Sequence, residues 1–133
     1  MVEPGTSIVA PVMSIAGNFY ALKNNFNEKI INTNISRTDF GAMNNKLEFP
    51  LKHITPKKNK TNSVSTNSYK LCGYTCVEKD ILGNYQLENP NVGDLFFLDG
   101  IGSYSQVNKS PFIGPELPLL LFDGKYIKKV REV

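Results

Sequence analysis

Apolar and β-branched residues fall in short runs, broken by turn-forming residues roughly every eight to twelve positions. Val12–Leu22 reads as a long strand buried partly on both faces, since its apolar content is high and its alternation imperfect. An Asn-rich turn at Lys23–Asn27 leads to a β-branched strand over Lys29–Ile35. Arg37–Lys46 is irregular, and Pro50–Thr55 is a short strand placed near a sheet edge by its proline. Ser63–Leu71 is a strand that runs into a loop at Cys72–Asp80. In that loop Gly73 can take positive φ, and Glu78-Lys79-Asp80 is too polar for a sheet interior. A further β-like run ends in the turn Pro90–Asp94, and Asp94–Asp99 is the most hydrophobic short strand. A second loop, Gly100–Ser105, precedes a proline-rich passage from Pro111 to Pro118. Leu119–Phe122, Asp123-Gly124 and Lys125–Val130 then form a hairpin signal. Ser7–Ala10 fits either a helical turn capped by Thr6 or Ser7 or the end of a strand. Helical periodicity is nearly absent. The pattern predicts an all-β chain, a Greek-key-like β-barrel or sandwich with at most short helical turns. A closed or nearly closed barrel is favoured because it leaves few exposed edges.

At 133 residues the chain is expected to form one domain with a core large enough to fold without staples. A net charge of +3 is mildly basic, and the one basic run, Lys57-Lys58-Asn59-Lys60, reads as a solvated loop. The dense basic stripe of a nucleic-acid binder is missing, so no nucleic-acid partner is expected. Two cysteines at Cys-x3-Cys spacing and the single His53 do not make a metal site. Met1–Gly5 lacks the features of a signal peptide, and no apolar run is long enough to span a membrane. A cytoplasmic protein with no membrane partner is therefore expected.

Chemistry concentrates on the two loops. Cys76 is flanked by polar residues, so its thiol is either reactive and substrate-facing or, as free cysteines often are, a small buried filler. Cys72, at a strand end, is read as structural. Tyr104 stands among Gly102, Ser103 and Ser105; its hydroxyl either reaches a phosphate or other polar ligand atom, or its ring plugs the barrel mouth. Glu3 is by default an exposed acid. No Ser-His-Asp set, Walker loop or paired-carboxylate site is present. Taken alone, the residues support a β-barrel with a polar loop face.

Several stretches together resemble a known family. They are Glu3-Pro4-Gly5 followed by Ile8-Val9-Ala10, Gly73-x-Thr75-Cys76-x-x-x-Asp80, Val92-Gly93-Asp94, Gly102-Ser103-Tyr104-Ser105, Phe112, and Leu121-Phe122-Asp123-Gly124. In order and spacing they resemble the C-terminal part of the fold-type III pyridoxal-phosphate decarboxylases. That family includes ornithine, arginine and diaminopimelate decarboxylases and relatives in siderophore and antibiotic synthesis. The resemblance implies that residues 1–10 close a preceding α/β-barrel domain and that 11–133 form the C-terminal β-barrel domain. It implies an amino-acid substrate, a pyridoxal 5'-phosphate cofactor held mainly by a lysine of the N-terminal α/β-barrel domain, and a homodimer. The fragment alone is then expected to be inactive.

Residue by residue, the resemblance makes Glu3 the acid that pairs with the pyridine nitrogen and keeps the ring an electron sink. It makes Gly5 the glycine whose backbone approaches the phosphate, and Tyr104 the tyrosine that reaches that phosphate. Cys76 becomes the thiol offered across the dimer interface, where it can protonate the carbanion left by decarboxylation. Two positions depart from the family. Thr6 stands where an arginine is usual; its hydroxyl donates one hydrogen bond and brings no charge. Val77 stands where relatives acting on diamino acids often carry an acid. An ammonium facing valine loses a charge-assisted partner worth about 1.5–3 kcal/mol. This points away from plain lysine, ornithine or diaminopimelate and toward a larger or acylated amino acid, with Glu78 or Asp80 as the substrate-binding acids should the loop turn differently. The competing expectation is a β-barrel binding or assembly module that kept the scaffold and lost catalysis.

Overall fold

The computed structural model describes residues 5–41, 48–56, 65–110 and 112–131. The chain opens with a short helix α1 (Gly5–Val9) and a 3-10 turn (Ala10–Val12), the helical alternative at Ser7–Ala10. Strands β1 (Ser14–Asn25), β2 (Glu28–Thr33), β3 (Leu51–Ile54), β4 (Thr66–Cys72), β5 (Ile81–Glu88) and β6 (Leu95–Asp99) form one sheet in the order β3-β6-β1-β2-β4-β5. A 3-10 turn (Arg37–Phe40) and helix α2 (Ser105–Asn108) lie between strands. Strands β7 (Leu119–Phe122) and β8 (Ile127–Arg131) make a separate antiparallel hairpin. The all-β, barrel-like expectation holds.

Closure depends on β1, which changes partner along its length. Residues Ser14–Asn18 pair with β6, and from Phe19 onward the strand pairs with β2. Within β1, Ile15, Gly17 and Phe19 point inward in strict alternation, so the sequence hides a cleaner period-two pattern than its apolar content suggests. β2 and β4 run parallel, and the other ladders are antiparallel. The chain just before edge strand β3 meets edge strand β5. Tyr85 Oη donates to Phe49 O at 2.9 Å, and Asn84 N donates to Glu48 Oε1 at 3.1 Å, which leaves the six strands nearly closed.

Phe19, Ile31, Leu71, Leu82, Phe96 and Leu98 are fully buried at the centre, with Phe19 and Phe96 stacked at 5.3 Å. His53 of β3 closes the far side. Its Nε2 meets Asp94 Oδ2 at 2.7 Å, and that oxygen also accepts from Asn91 N at 2.9 Å. The Val92-Gly93-Asp94 turn is thereby fixed from within.

Several boundaries differ from the expected ones. β1 runs three residues past Leu22, so the expected Asn-rich turn shrinks to Phe26-Asn27, with Phe26 at φ 50. β2 stops at Thr33, where the Asn34 side chain turns back to accept from Asn18 N at 2.7 Å. Arg37–Phe40 is an ordered 3-10 turn rather than irregular chain. The strand expected from Ser63 is seen from Thr66; Ser63 and Val64 lie outside the described residues.

Candidate functional site

The loop from Gly73 to Asp80 closes on its own backbone. Gly73 N–H donates to Asp80 O at 2.8 Å, and Asp80 N–H donates to Val77 O at 2.9 Å. Inside that ring lies the Asp80 carboxylate, which is buried. Its Oδ2 accepts from Thr75 N at 3.1 Å and Thr75 Oγ1 at 2.5 Å, and its Oδ1 accepts from Arg37 N at 2.9 Å. Glycine is required at 73 because a β-carbon there would lie 2.2 Å from Asp80 Oδ2. The result is a tight loop with Cys76 exposed, as a free thiol, where a second molecule can reach it. Glu78 is also exposed, in the turn that follows. Asp80 sits differently from a substrate-facing acid: both of its oxygens are taken by donors of the protein, and it anchors the loop. Burial pushes the Cys72 thiol up, as suits a structural residue.

The partner that receives this loop is the 3-10 turn Arg37–Phe40. Ser36 caps it, accepting from Thr38 N at 3.1 Å, and Asp39 Oδ2 reaches back to accept from Ser36 N at 2.8 Å. Arg37 is buried. Its guanidinium donates from Nε to Ile81 O and from Nη2 to Leu82 O at 3.2 Å, and burial lowers its pKa. Asp39 Oδ1 accepts from Tyr74 Oη at 2.9 Å. Desolvation, more than any neighbour, pushes the Asp39 carboxyl up. Desolvation and the bond to Asp39 push the Tyr74 phenol up to about 12. These residues escape a reading based on strand periodicity. The signal for them was the Ser36-x-x-Asp39 spacing of a capping box between Ile35 and Phe40.

Tyr104 lies on the other side of this turn. It occupies the left-handed region at φ 58, which is costly for an aromatic residue and needs a context that enforces it. That context is the start of α2: the Tyr104 carbonyl accepts from Val107 N at 3.1 Å and Asn108 N at 2.9 Å. The side chain is exposed. The loop before it is tied to the N-terminal segment, with Gly102 N donating to Ala10 O at 3.0 Å and Ile101 N to Met13 O at 3.1 Å. Gly5, at the exposed start of α1, belongs to that segment, while Glu3 lies outside the described residues. Ser110 N donates to Thr38 O at 3.1 Å. The 3-10 turn thus connects the Cys76 loop with the Tyr104 loop. A groove of about 520 Å³ opens beside it, lined by Met13, Ile15, Asp39, Phe40, Lys109 and Leu117 among others. Among the described residues no group of three or more His, Cys, Asp or Glu is placed to hold a metal ion, and no helix is long and apolar enough to cross a membrane.

No protein-family model matches the chain. Its fold is that of part of the amino-acid decarboxylases. A diaminopimelate decarboxylase superposes with a TM-score of 0.84 at 17% identity, covering 96% of this chain and 32% of that one. Diaminopimelate decarboxylase from Helicobacter pylori complexed with L-lysine gives 0.80 at 22% identity, covering 98% and 31%. Lysine/ornithine decarboxylase from Vibrio vulnificus complexed with cadaverine gives 0.64 at 19%, covering 79% and 28%. In sequence, a carboxynorspermidine/carboxyspermidine decarboxylase of Herminiimonas arsenicoxydans is 33% identical over 75 residues, 53% of this chain and 20% of that protein. The chain thus spans about a third of the solved structures' length and a fifth of the curated relative's.

Proposed function

We propose that this chain is the C-terminal β-barrel domain of a pyridoxal-phosphate-dependent amino-acid decarboxylase, a carboxy-lyase working as a cytoplasmic homodimer. Residues 1–10 then close the preceding α/β-barrel domain. The observation that carries the proposal is a thiol, Cys76, exposed on a loop pinned by a buried carboxylate, within a fold shared with decarboxylases along almost the whole chain. A loop held this firmly presents its thiol in one place, and a positioned proton donor gains much of its effect from such preorganisation.

In this reading Tyr104, Gly5 and Glu3 are the residues that would hold one edge of the cofactor. Tyr104 offers an exposed phenol on a backbone fixed by its own helix start, and among the described residues nothing lies within 4 Å of a β-carbon added at Gly5, which suits a close backbone approach by a phosphate. When bound, pyridoxal 5'-phosphate supplies an electron sink for loss of carbon dioxide. Within this chain, Tyr104 Oη and the Gly5 backbone would orient the phosphate, and Glu3 is assigned the pyridine nitrogen. Cys76 Sγ holds the proton delivered to the substrate's α-carbon after carbon dioxide leaves, in the partner protomer's site.

Substrate class follows from Val77, next to Cys76. A half-buried valine gives a distal ammonium nothing to bind, which favours a longer or substituted amino acid over lysine or ornithine. The similarity to a carboxynorspermidine/carboxyspermidine decarboxylase supports a carboxylated polyamine of that kind. Glu78, exposed one residue further on, is the acid assigned to an amine of such a chain; Asp80 keeps its structural role. The test is carbon dioxide release by this chain assembled with its lysine-bearing barrel, on a panel of diamino acids and carboxylated polyamines. Preference for the longer substrates is expected. Fast turnover of a plain diamino acid overturns the substrate assignment. Absence of cofactor binding by the assembly favours the non-catalytic binding or assembly module instead.

A further inference from the structure

Tyr74 is not explained by the roles assigned so far. It stands two residues before Cys76, and its ring reaches away from the loop to a junction of three segments. On one side its hydroxyl donates to Asp39 Oδ1 at 2.9 Å, while the other oxygen of Asp39 holds Ser36 N at 2.8 Å. On the other side lies Gly114, in the proline-rich passage, where a β-carbon would sit 2.2 Å from the Tyr74 hydroxyl oxygen. That passage is itself held. Gly114 N donates to Phe112 O at 2.8 Å, and Lys109, just past α2, pairs with Glu116. The phenol is therefore clamped between the 3-10 turn and the segment that follows the Tyr104 helix.

We infer that Tyr74, seated between Asp39 and the side-chain-free Gly114, is a positioning residue that fixes where the Cys76 loop presents its thiol. The inference rests on the reading of Cys76 as the proton-delivering group. Asp80 closes the loop on itself, and among the described residues its carboxylate bonds to Thr75 of the loop and to the Arg37 backbone. Tyr74 ties the near limb of the loop to the 3-10 turn through Asp39 and packs against Gly114 of the passage leading into β7. The phenol's raised pKa keeps it a proton donor to Asp39 across the physiological range. Asp39 also caps its own turn, so its substitution would disturb two things at once. Tyr74→Phe and Gly114→Ala disturb only the clamp, one by deleting the hydroxyl and the other by displacing it.

The test is amide hydrogen exchange on the 133-residue chain carrying each substitution. Loss of one hydrogen bond shifts a local opening equilibrium about three- to tenfold. Thr75, Val77 and Asp80 amides are expected to exchange faster by that factor in both variants, with the β4–β5 ladder amides unchanged. In the assembled decarboxylase both variants are expected to lower kcat while leaving KM in place. Unchanged loop exchange in either variant overturns the inference, as does equal acceleration of the ladder, which would mark a general loss of stability. The exchange readout needs no turnover. A clamp seen by exchange in an assembly that releases no carbon dioxide would therefore sink the decarboxylase reading and leave the clamp standing.

Discussion

Replacing Asp80 with alanine removes the acceptor of three hydrogen bonds at once: Thr75 N, Thr75 Oγ1 and Arg37 N. Each bond to a charged acceptor contributes about 1.5–3 kcal/mol, and bonds in one network do not add in full. The backbone N–H groups of Thr75 and Arg37 both lose this acceptor, and at about 1–3 kcal/mol for each donor left unsatisfied the total loss is about 3–5 kcal/mol. For a domain of this size, at roughly 4 °C per kcal/mol, Tm should fall by about 12–20 °C. Asp80→Asn keeps one carbonyl oxygen but turns its NH2 toward a donor, so about half that loss is expected. Urea unfolding followed by far-UV circular dichroism measures both, with the slope unchanged if the native state stays compact. A loss below about 1 kcal/mol for Asp80→Ala would show that the loop is not held by its carboxylate.

Other expectations are independent of that loop. Lys52 first, then Ser14, hold the Asp99 carboxyl below its ordinary value of 3.8. Because the folded value is depressed, this contribution is present above 3.8 and fades as pH falls through the folded value; the Tm gap between wild type and Asp99→Asn should be open near pH 6 and shrink steadily as the pH is taken below 3.8. Phe96 is fully buried and stacks on Phe19 at 5.3 Å, so Phe96→Ala should cost about 3–5 kcal/mol by the same urea measurement.

The strands were legible where local chemistry decides them. High apolar content marked β1, β-branched residues marked β2, the proline before β3 marked an edge, and Asp123-Gly124 marked the last hairpin. In that hairpin the Asp123 side chain indeed accepts from Lys125 N and Tyr126 N. The parallel pairing of β2 with β4 was not legible, because nothing within either strand records a partner 40 positions away. The partner switch at Phe19 was hidden for the same reason. At the site, the Gly73–Asp80 loop was readable as a loop with a thiol. The direction of its carboxylate was not: the family resemblance offers Asp80 as a substrate-binding acid, and only the fold shows that Thr75 and the Arg37 backbone already occupy it. The Arg37–Phe40 turn was overlooked because one helical turn is too short to show periodicity, although its capping pair is local.

The central claim is that this chain lends a thiol to a decarboxylase. Single-turnover carbon dioxide release and product analysis, with wild type and Cys76→Ala each assembled with the lysine-bearing barrel, test it most directly. The account predicts that Cys76→Ala slows turnover about 10²-fold or more or diverts the product, with an unchanged circular dichroism spectrum. Equal rate and identical product in the two proteins would contradict it.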